Sequence, residues 1–221
     1  MSDGQNQLES IEELGEGEGL SRRQRRAAET RLRLFRCAMK LFAERGFANV
    51  TVAEITAAAD VGKGTFFNYF ESKDHVLSVM AEIQLGCLYE AAAAIHEGKQ
   101  SVQSLLRQLL QKLADEPGSS PELARAVISS FLASEVVRSM VEARMIEGRR
   151  IMAEYIEQGQ RRREIDSRLD KDYLARQIQQ TIMGTILLWS LHGEVPLAQR
   201  IDESFQHFWR AVAQPGWEQQ L

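Results

Sequence analysis

Between Lys63 and Lys73 the chain reads KGTFFNYFESK, a run dense in hydrogen-bonding and aromatic groups. Thr65 and Asn68 can bond base edges or phosphates, and Phe67 can touch a thymine methyl. Tyr69 offers a phosphate a hydroxyl, and Lys63 and Lys73 bracket the run as point charges for a nucleic-acid backbone. Gly64 carries no side chain, so the backbone there can come close to a phosphate. At about 100° per residue, Phe66 and Phe70 fall together and should point inward with Ile55 and Val61. Gly64, Thr65, Asn68 and Tyr69 then point away, with Phe67 at the border. A polar and aromatic outer face on a very short helix suits a DNA groove. The same run also reads as plain core, so the elements around it decide.

Those elements are specific. Thr51 and Glu54 form a capping box: the Thr hydroxyl takes the Glu54 N–H, and the Glu54 carboxylate reaches back to the Thr51 N–H. Val50 and Ile55 are spaced as a hydrophobic staple. This first helix should run to about Ala59, where Asp60-Val61-Gly62 makes the turn. Upstream, Leu34, Phe35, Ala38, Leu41 and Phe42 form the apolar stripe of a helix that ends at Gly46 after Arg45. That stripe supplies the core on which two short helices sit, which is the layout of a helix-turn-helix.

At these residues the chain resembles the TetR family of bacterial transcriptional repressors. The match runs from Thr30 through LFAERGF and TVAEITAAADV to KGTFFNYFESKDHVL, ending at Leu77. The resemblance implies a homodimeric, all-helical repressor whose C-terminal domain binds a small molecule that weakens DNA binding. Carried onto matching positions, it implies DNA contacts at Thr51, Lys63, Gly64, Thr65, Phe67, Tyr69 and Lys73, to which the outward face adds Asn68. Two positions depart from the family pattern. Asp60 stands where the turn often has Gly, and Asp tolerates a left-handed conformation better than most residues. Phe67 stands where Tyr is frequent, which makes any contact there apolar.

Charge follows the same division. The 221 residues carry a net −4. Residues 1–20 contribute −6, residues 21–80 contribute +5, and residues 81–221 contribute −3. The basic excess falls on the helix-turn-helix, as phosphate binding requires. With 44% hydrophobic and 26% charged residues, the chain reads as globular and soluble. No 18-residue apolar run suggests a membrane span, and no charged start precedes an apolar core as in a secretory signal. A cytoplasmic protein is expected, with Cys37 and Cys87 as reduced thiols within helices. His75, His96, His192 and His207 share no metal-ligand spacing, so neither a metal nor another cofactor is expected.

The expected domains are an acidic, disordered tail over 1–20, a three-helix helix-turn-helix DNA-binding domain over 21–72, a helical ligand-binding and dimerisation domain over 73–214, and a tail over 215–221. The fold class is all-α. Ser21 to Arg26, SRRQRR, reads either as an arm reaching DNA or as the solvated start of helix 1. A long helix from Lys73 to about His96, capped by Ser72, should link head to body. Ser101 to about Ala114 forms the next helix. Ser120-Pro121-Glu122 reads as an N-cap with Pro at the first helical position, opening a helix to about Ala133. A long helix follows over about Ser134 to Gln160. Asp170 caps a helix to His192, and Leu197 to about Val212 is the last.

Candidate liners of a mostly apolar ligand cavity are Cys87, Phe131, Met140, Arg144, Met145, Met152 and Tyr155; each Met also reads as ordinary core. Arg144 can meet a ligand carboxylate or pair with a nearby Glu. The helix from Asp170 is apolar on more than one side, through Leu174, Ile178, Ile182, Ile186, Leu187, Leu188 and Trp189. Two apolar sides call for burial inside the chain and against a partner, and Ile182 and Thr185 are the expected partner contacts. With Phe205, Phe208 and Trp209 of the last helix, this resembles the family's four-helix dimer interface. The expected partners are a pseudo-palindromic double-stranded DNA operator, a small-molecule effector and a second copy of the chain, with no membrane. An enzyme is the poorer reading, because no nucleophile–base signature or phosphate loop is present. A constitutive or activating DNA-binding protein without a ligand remains the alternative.

Overall fold

The computed structural model describes residues 21–98, 100–115 and 120–215. The acidic segment 1–20 and the last six residues lie outside them. Among the described residues there are nine α-helices: α1 (Arg22–Arg45), α2 (Val52–Ala58), α3 (Lys63–Phe67), α4 (Lys73–Glu97), α5 (Val102–Asp115), α6 (Pro121–Ala133), α7 (Glu135–Arg161), α8 (Lys171–His192) and α9 (Leu197–Val212). A 3-10 turn, Phe47–Asn49, joins α1 to α2. None of the described helices is long and apolar enough to cross a membrane.

Short-range signals fix the helix starts. Ser21 caps α1 in a capping box with Gln24, so SRRQRR is the first turns of that helix, not an extended arm. Ser120 accepts the Leu123 N–H with Pro121 behind it, Ser134 accepts the Val137 N–H, and Asp170 accepts the Tyr173 N–H. Ser72 holds the N-cap position of α4 but makes no cap bond; its hydroxyl donates to Asp74 at 3.3 Å. Gly46 ends α1 with φ +79°, a conformation that a side chain would strain, and its N–H donates to the Phe42 carbonyl.

Two apolar cores result. The first gathers Leu34, Phe35, Ala38 and Phe42 of α1, Ile55 of α2, Phe66 and Phe70, and the start of α4 at Val76, Leu77, Val79 and Met80. It also takes in Leu123, Ala126 and Val127 of α6 and Val137 of α7. Thus α6 packs against α1 and the 3-10 turn while also meeting α7 and α8. The second core joins the rest of α4 with α5, α7, α8 and α9, centred on Leu106, Ile151, Ile156, Ile201 and Trp209. Phe205 and Trp209, expected at a partner interface, are 2% exposed inside this core. The reason is geometric: α9 packs on α5 as well as on α8, so its aromatic face is already covered.

Candidate DNA-reading head and effector cavity

The head forms around the capping box. The Thr51 Oγ1 accepts the Glu54 N–H at 3.3 Å and donates to Glu54 Oε2 at 2.8 Å, which also accepts the Thr51 N–H at 2.8 Å. Arg45, from the end of α1, closes on Glu54 at 2.7 Å. The Thr51 hydroxyl and N–H, with Arg45 beside them, hold the Glu54 carboxyl below its ordinary range. Val50 and Ile55 are both buried. Asp60 turns the chain with φ +51°, the left-handed geometry expected of it.

Phe66 of α3 and Phe70 just beyond it are buried with ring centroids 5.3 Å apart. Burial contributes about 1.5–3 kcal/mol for each such side chain. Lys63, Gly64, Phe67 and Asn68 are exposed; Thr65 and Tyr69 are half-buried. Phe67 is 56% exposed, its ring edge-on to that of Phe66 with centroids 5.4 Å apart. A Cβ at Gly64 would meet nothing within 4 Å, so no neighbour in the chain demands glycine there. Both features suit a surface shaped for an outside partner. Arg22, Arg23, Arg25, Arg26 and Arg33 are exposed on α1 and extend the positive charge of this end.

Two expected DNA contacts have inward duties. The Lys73 ammonium donates to the carbonyls of Phe47 at 2.8 Å, Val50 at 3.0 Å and Ala48 at 3.3 Å, and lies 4.6 Å from the Phe47 ring centre. Its three N–H groups are thereby all used. Lys73 is a staple between α4 and the 3-10 turn, and its expected role as a phosphate contact is withdrawn. The Thr51 hydroxyl is likewise engaged in its cap, which leaves it little to offer DNA.

In the body, a mostly apolar cavity of about 200 Å³ opens between α4, α5, α6, α7 and α8. Of the expected liners, Phe131, Arg144, Met145 and Met152 reach it. Cys87, Met140 and Tyr155 do not. Tyr155 is 2% exposed and its hydroxyl donates to the Leu88 carbonyl, making it a core strut between α7 and α4. Cys87 is half-buried, and the lining residues of α4 are Leu77, Met80, Gln84, Leu85 and Leu88. Met140 precedes the lining face of α7, which is Val141, Arg144, Met145, Gly148, Arg149 and Met152. Sequence reasoning missed Leu110 and Leu113 of α5 and the whole α8 wall. Ile182 is on that wall, 8% exposed, and so faces inward rather than toward a partner. Thr185 bonds Ser204 of α9 at 3.1 Å within the same chain. The apolar residues that α8 leaves exposed are Tyr173, Leu187, Leu188 and Leu191. Among the described residues, no three His, Cys, Asp or Glu side chains gather as metal ligands.

A three-helix head with an exposed α3, carried on a helical body with a cavity, defines the class of helix-turn-helix transcriptional regulators. Residues 34–80 match the profile described as "Bacterial regulatory proteins, tetR family". Over that segment the chain is similar to the DNA-binding part of TetR-family regulators. It is 35% identical over 103 residues to the HTH-type transcriptional regulator TcmR of Streptomyces glaucescens, covering 45% of this chain and 44% of that protein's length. The solved structure of FadR from Bacillus subtilis in complex with stearoyl-CoA superposes with a TM-score of 0.66 at 20% identity, covering 80% of this chain and 96% of that one. A SmeT–triclosan complex superposes with a TM-score of 0.70 at 19% identity, covering 86% and 94%; SmeT is the repressor of a Stenotrophomonas maltophilia multidrug efflux pump. At such identities these two likenesses speak for the fold alone.

Proposed function

We propose that this regulator is a repressor, bound as a homodimer to a pseudo-palindromic operator and released by a small, mostly apolar ligand. One observation carries the release: Leu77, Met80 and Val127 belong both to the head core and to the cavity wall. A ligand that moves α4 or α6 cannot leave the seat of the head untouched. It acts by favouring a spacing of two heads that does not fit the groove. Lys63, Gly64, Thr65, Phe67, Asn68 and Tyr69 would meet DNA, Thr65 and Asn68 reading bases and Lys63 and Tyr69 holding phosphates. A groove along α8 and α9 that includes Tyr173, Thr181, Leu188 and Phe208 would seat the second copy. The two structural neighbours named above are complexes with stearoyl-CoA, whose acyl chain is apolar, and with triclosan, which supports a ligand with a substantial apolar part here.

The test is a titration. Compounds that raise the melting temperature of the isolated protein should weaken its operator binding. Moving from 99% bound to 99% free demands about 10⁴-fold preference for the released state. Stabilising compounds that leave operator affinity unchanged would instead support the constitutive alternative.

A further inference from the structure

The cavity wall has a charge that the ligand reading above does not use. Its only charged residues among those described are Arg144 and Arg149, and it has no Asp or Glu. Neither arginine has a carboxylate partner among the described residues. Arg149 donates to Gln179 Oε1 at 2.9 Å, and Gln179 donates to the Met145 carbonyl at 3.1 Å, which braces the guanidinium against the wall. That spends one of its five N–H groups. Among the described residues Arg144 has no hydrogen-bond or ion-pair partner, and it sits exposed at the cavity edge. Glu147, three residues on and the acid on the same helix face, is taken: it accepts from Arg150 at 2.8 Å and from the Tyr89 hydroxyl at 2.8 Å. The alternative role for Arg144, a structural ion pair with a nearby Glu, is therefore not adopted.

We infer that the effector is an amphiphilic anion, whose apolar body fills the cavity and whose carboxylate or phosphate head meets Arg144 and Arg149. The chemistry fits in three ways. A guanidinium presents a planar fork that matches either head group bidentately. Leu85, Leu88, Leu110, Ile178 and Ile182 offer the other end of the molecule only hydrocarbon. A cationic ligand would find two like charges and no acid. The cavity exceeds the ~150 Å³ that suffices for a benzene ring, and is smaller than the roughly 300–1,000 Å³ of drug-sized sites, so a short chain or single ring is the right scale.

This inference rests on the ligand reading above, and its binding arm is tested without DNA. The full chain is titrated calorimetrically with octanoate, octyl phosphate, 1-octanol and octylamine, each below its micelle concentration. The anions should bind at least about tenfold tighter than octanol, and octylammonium weakest. The tighter of octanoate and octyl phosphate names the head group. In Arg144→Gln/Arg149→Gln the anion preference should vanish while octanol affinity stays within about twofold, with unchanged helicity by circular dichroism. Equal binding of octanol, tighter binding of octylamine, no binding of any probe, or a preference that survives both substitutions would overturn the inference. A selective anion that leaves operator affinity unchanged would break the release mechanism and spare the anion site. Release by octanol as strong as by octanoate would do the reverse.

Discussion

The DNA-reading head and the cavity-bearing body are stabilised over different distances along the chain. In the head, Thr51 with Glu54, Ser21 with Gln24 and the Asp60 turn each act within a few residues. In the body, the Tyr155 hydroxyl donates to Leu88, and Arg162 donates to the carbonyls of Ile95 and Gln100. Those partners are more than 60 residues apart in sequence. The head thus takes its shape chiefly from local signals, whereas the body depends also on ties between residues far apart in sequence. Lys73 is the exception in the head, reaching back 23 to 26 residues. It marks the place where the long helix α4 is fastened to the reading unit.

The sharpest test of this contrast is to separate dimer from fold. Leu188 is 62% exposed on α8. Leu188→Arg should give a monomer with unchanged helicity, and its operator affinity should fall by about 10²-fold or more because the two half-sites no longer act together. Light scattering and a binding titration read both. An intact dimer would place the interface elsewhere.

Next comes a neighbouring pair on α3. Phe66→Ala should cost about 3–5 kcal/mol of head stability, because it empties a filled core. Phe67→Ala should cost under about 0.5 kcal/mol in a melt, as an exposed substitution does, yet weaken operator binding. Equal losses of stability would erase the inner and outer faces of the helix.

Lys73 and Lys63 make the third contrast. Lys73→Ala should cost about 1.5–3 kcal/mol through its lost bonds to carbonyls. Lys63→Ala should leave the melt unchanged and flatten the slope of log K against log salt by about one unit. A flattened slope for Lys73→Ala with no loss of stability would restore Lys73 to the DNA face.

The smallest effect expected is one of pH, in the body. Glu164 is 2% exposed and accepts the Gln103 N–H at 3.2 Å. Burial raises its carboxyl above the ordinary value. A raised acid stabilises the fold while protonated, so its contribution is present at low pH and is lost as pH rises through the folded pKa. Glu164→Gln should therefore flatten the stability profile on that limb and leave the protein no less stable at neutral pH. Asp166 next to it works in the opposite sense. Arg168 holds its carboxyl down to about 2, so its contribution fades as pH falls from the ordinary carboxylate range toward that value.

Legibility in the sequence follows the same division. The caps at Thr51, Ser120 and Asp170, the turn at Asp60 and the two faces of α3 were readable because each depends on spacing alone. The duty of Lys73 was not, since its partners are backbone carbonyls that only the folded 3-10 turn brings together. Ile182 was misassigned because α8 is apolar on two sides, and periodicity cannot say which side meets a cavity and which meets solvent. Among the cavity liners, Phe131, Arg144, Met145 and Met152 were reachable from the long helical pattern and its neighbour. Tyr155 lies on that long helix and Cys87 on α4, but neither reaches the cavity, and the leucines of α4 and α5 carry no signal beyond ordinary amphipathicity.

The central claim is that the outer face of α3 reads duplex DNA for this chain. The most direct measurement is selection of binding sites from a random duplex pool by the wild type and by Asn68→Ala in parallel. The account predicts inverted-repeat sites for the wild type, with two half-sites about one helical turn apart or a little more, and a changed base preference in each half-site for Asn68→Ala. Identical sites at identical relative strengths for both proteins, or no enrichment with the wild type, would contradict it.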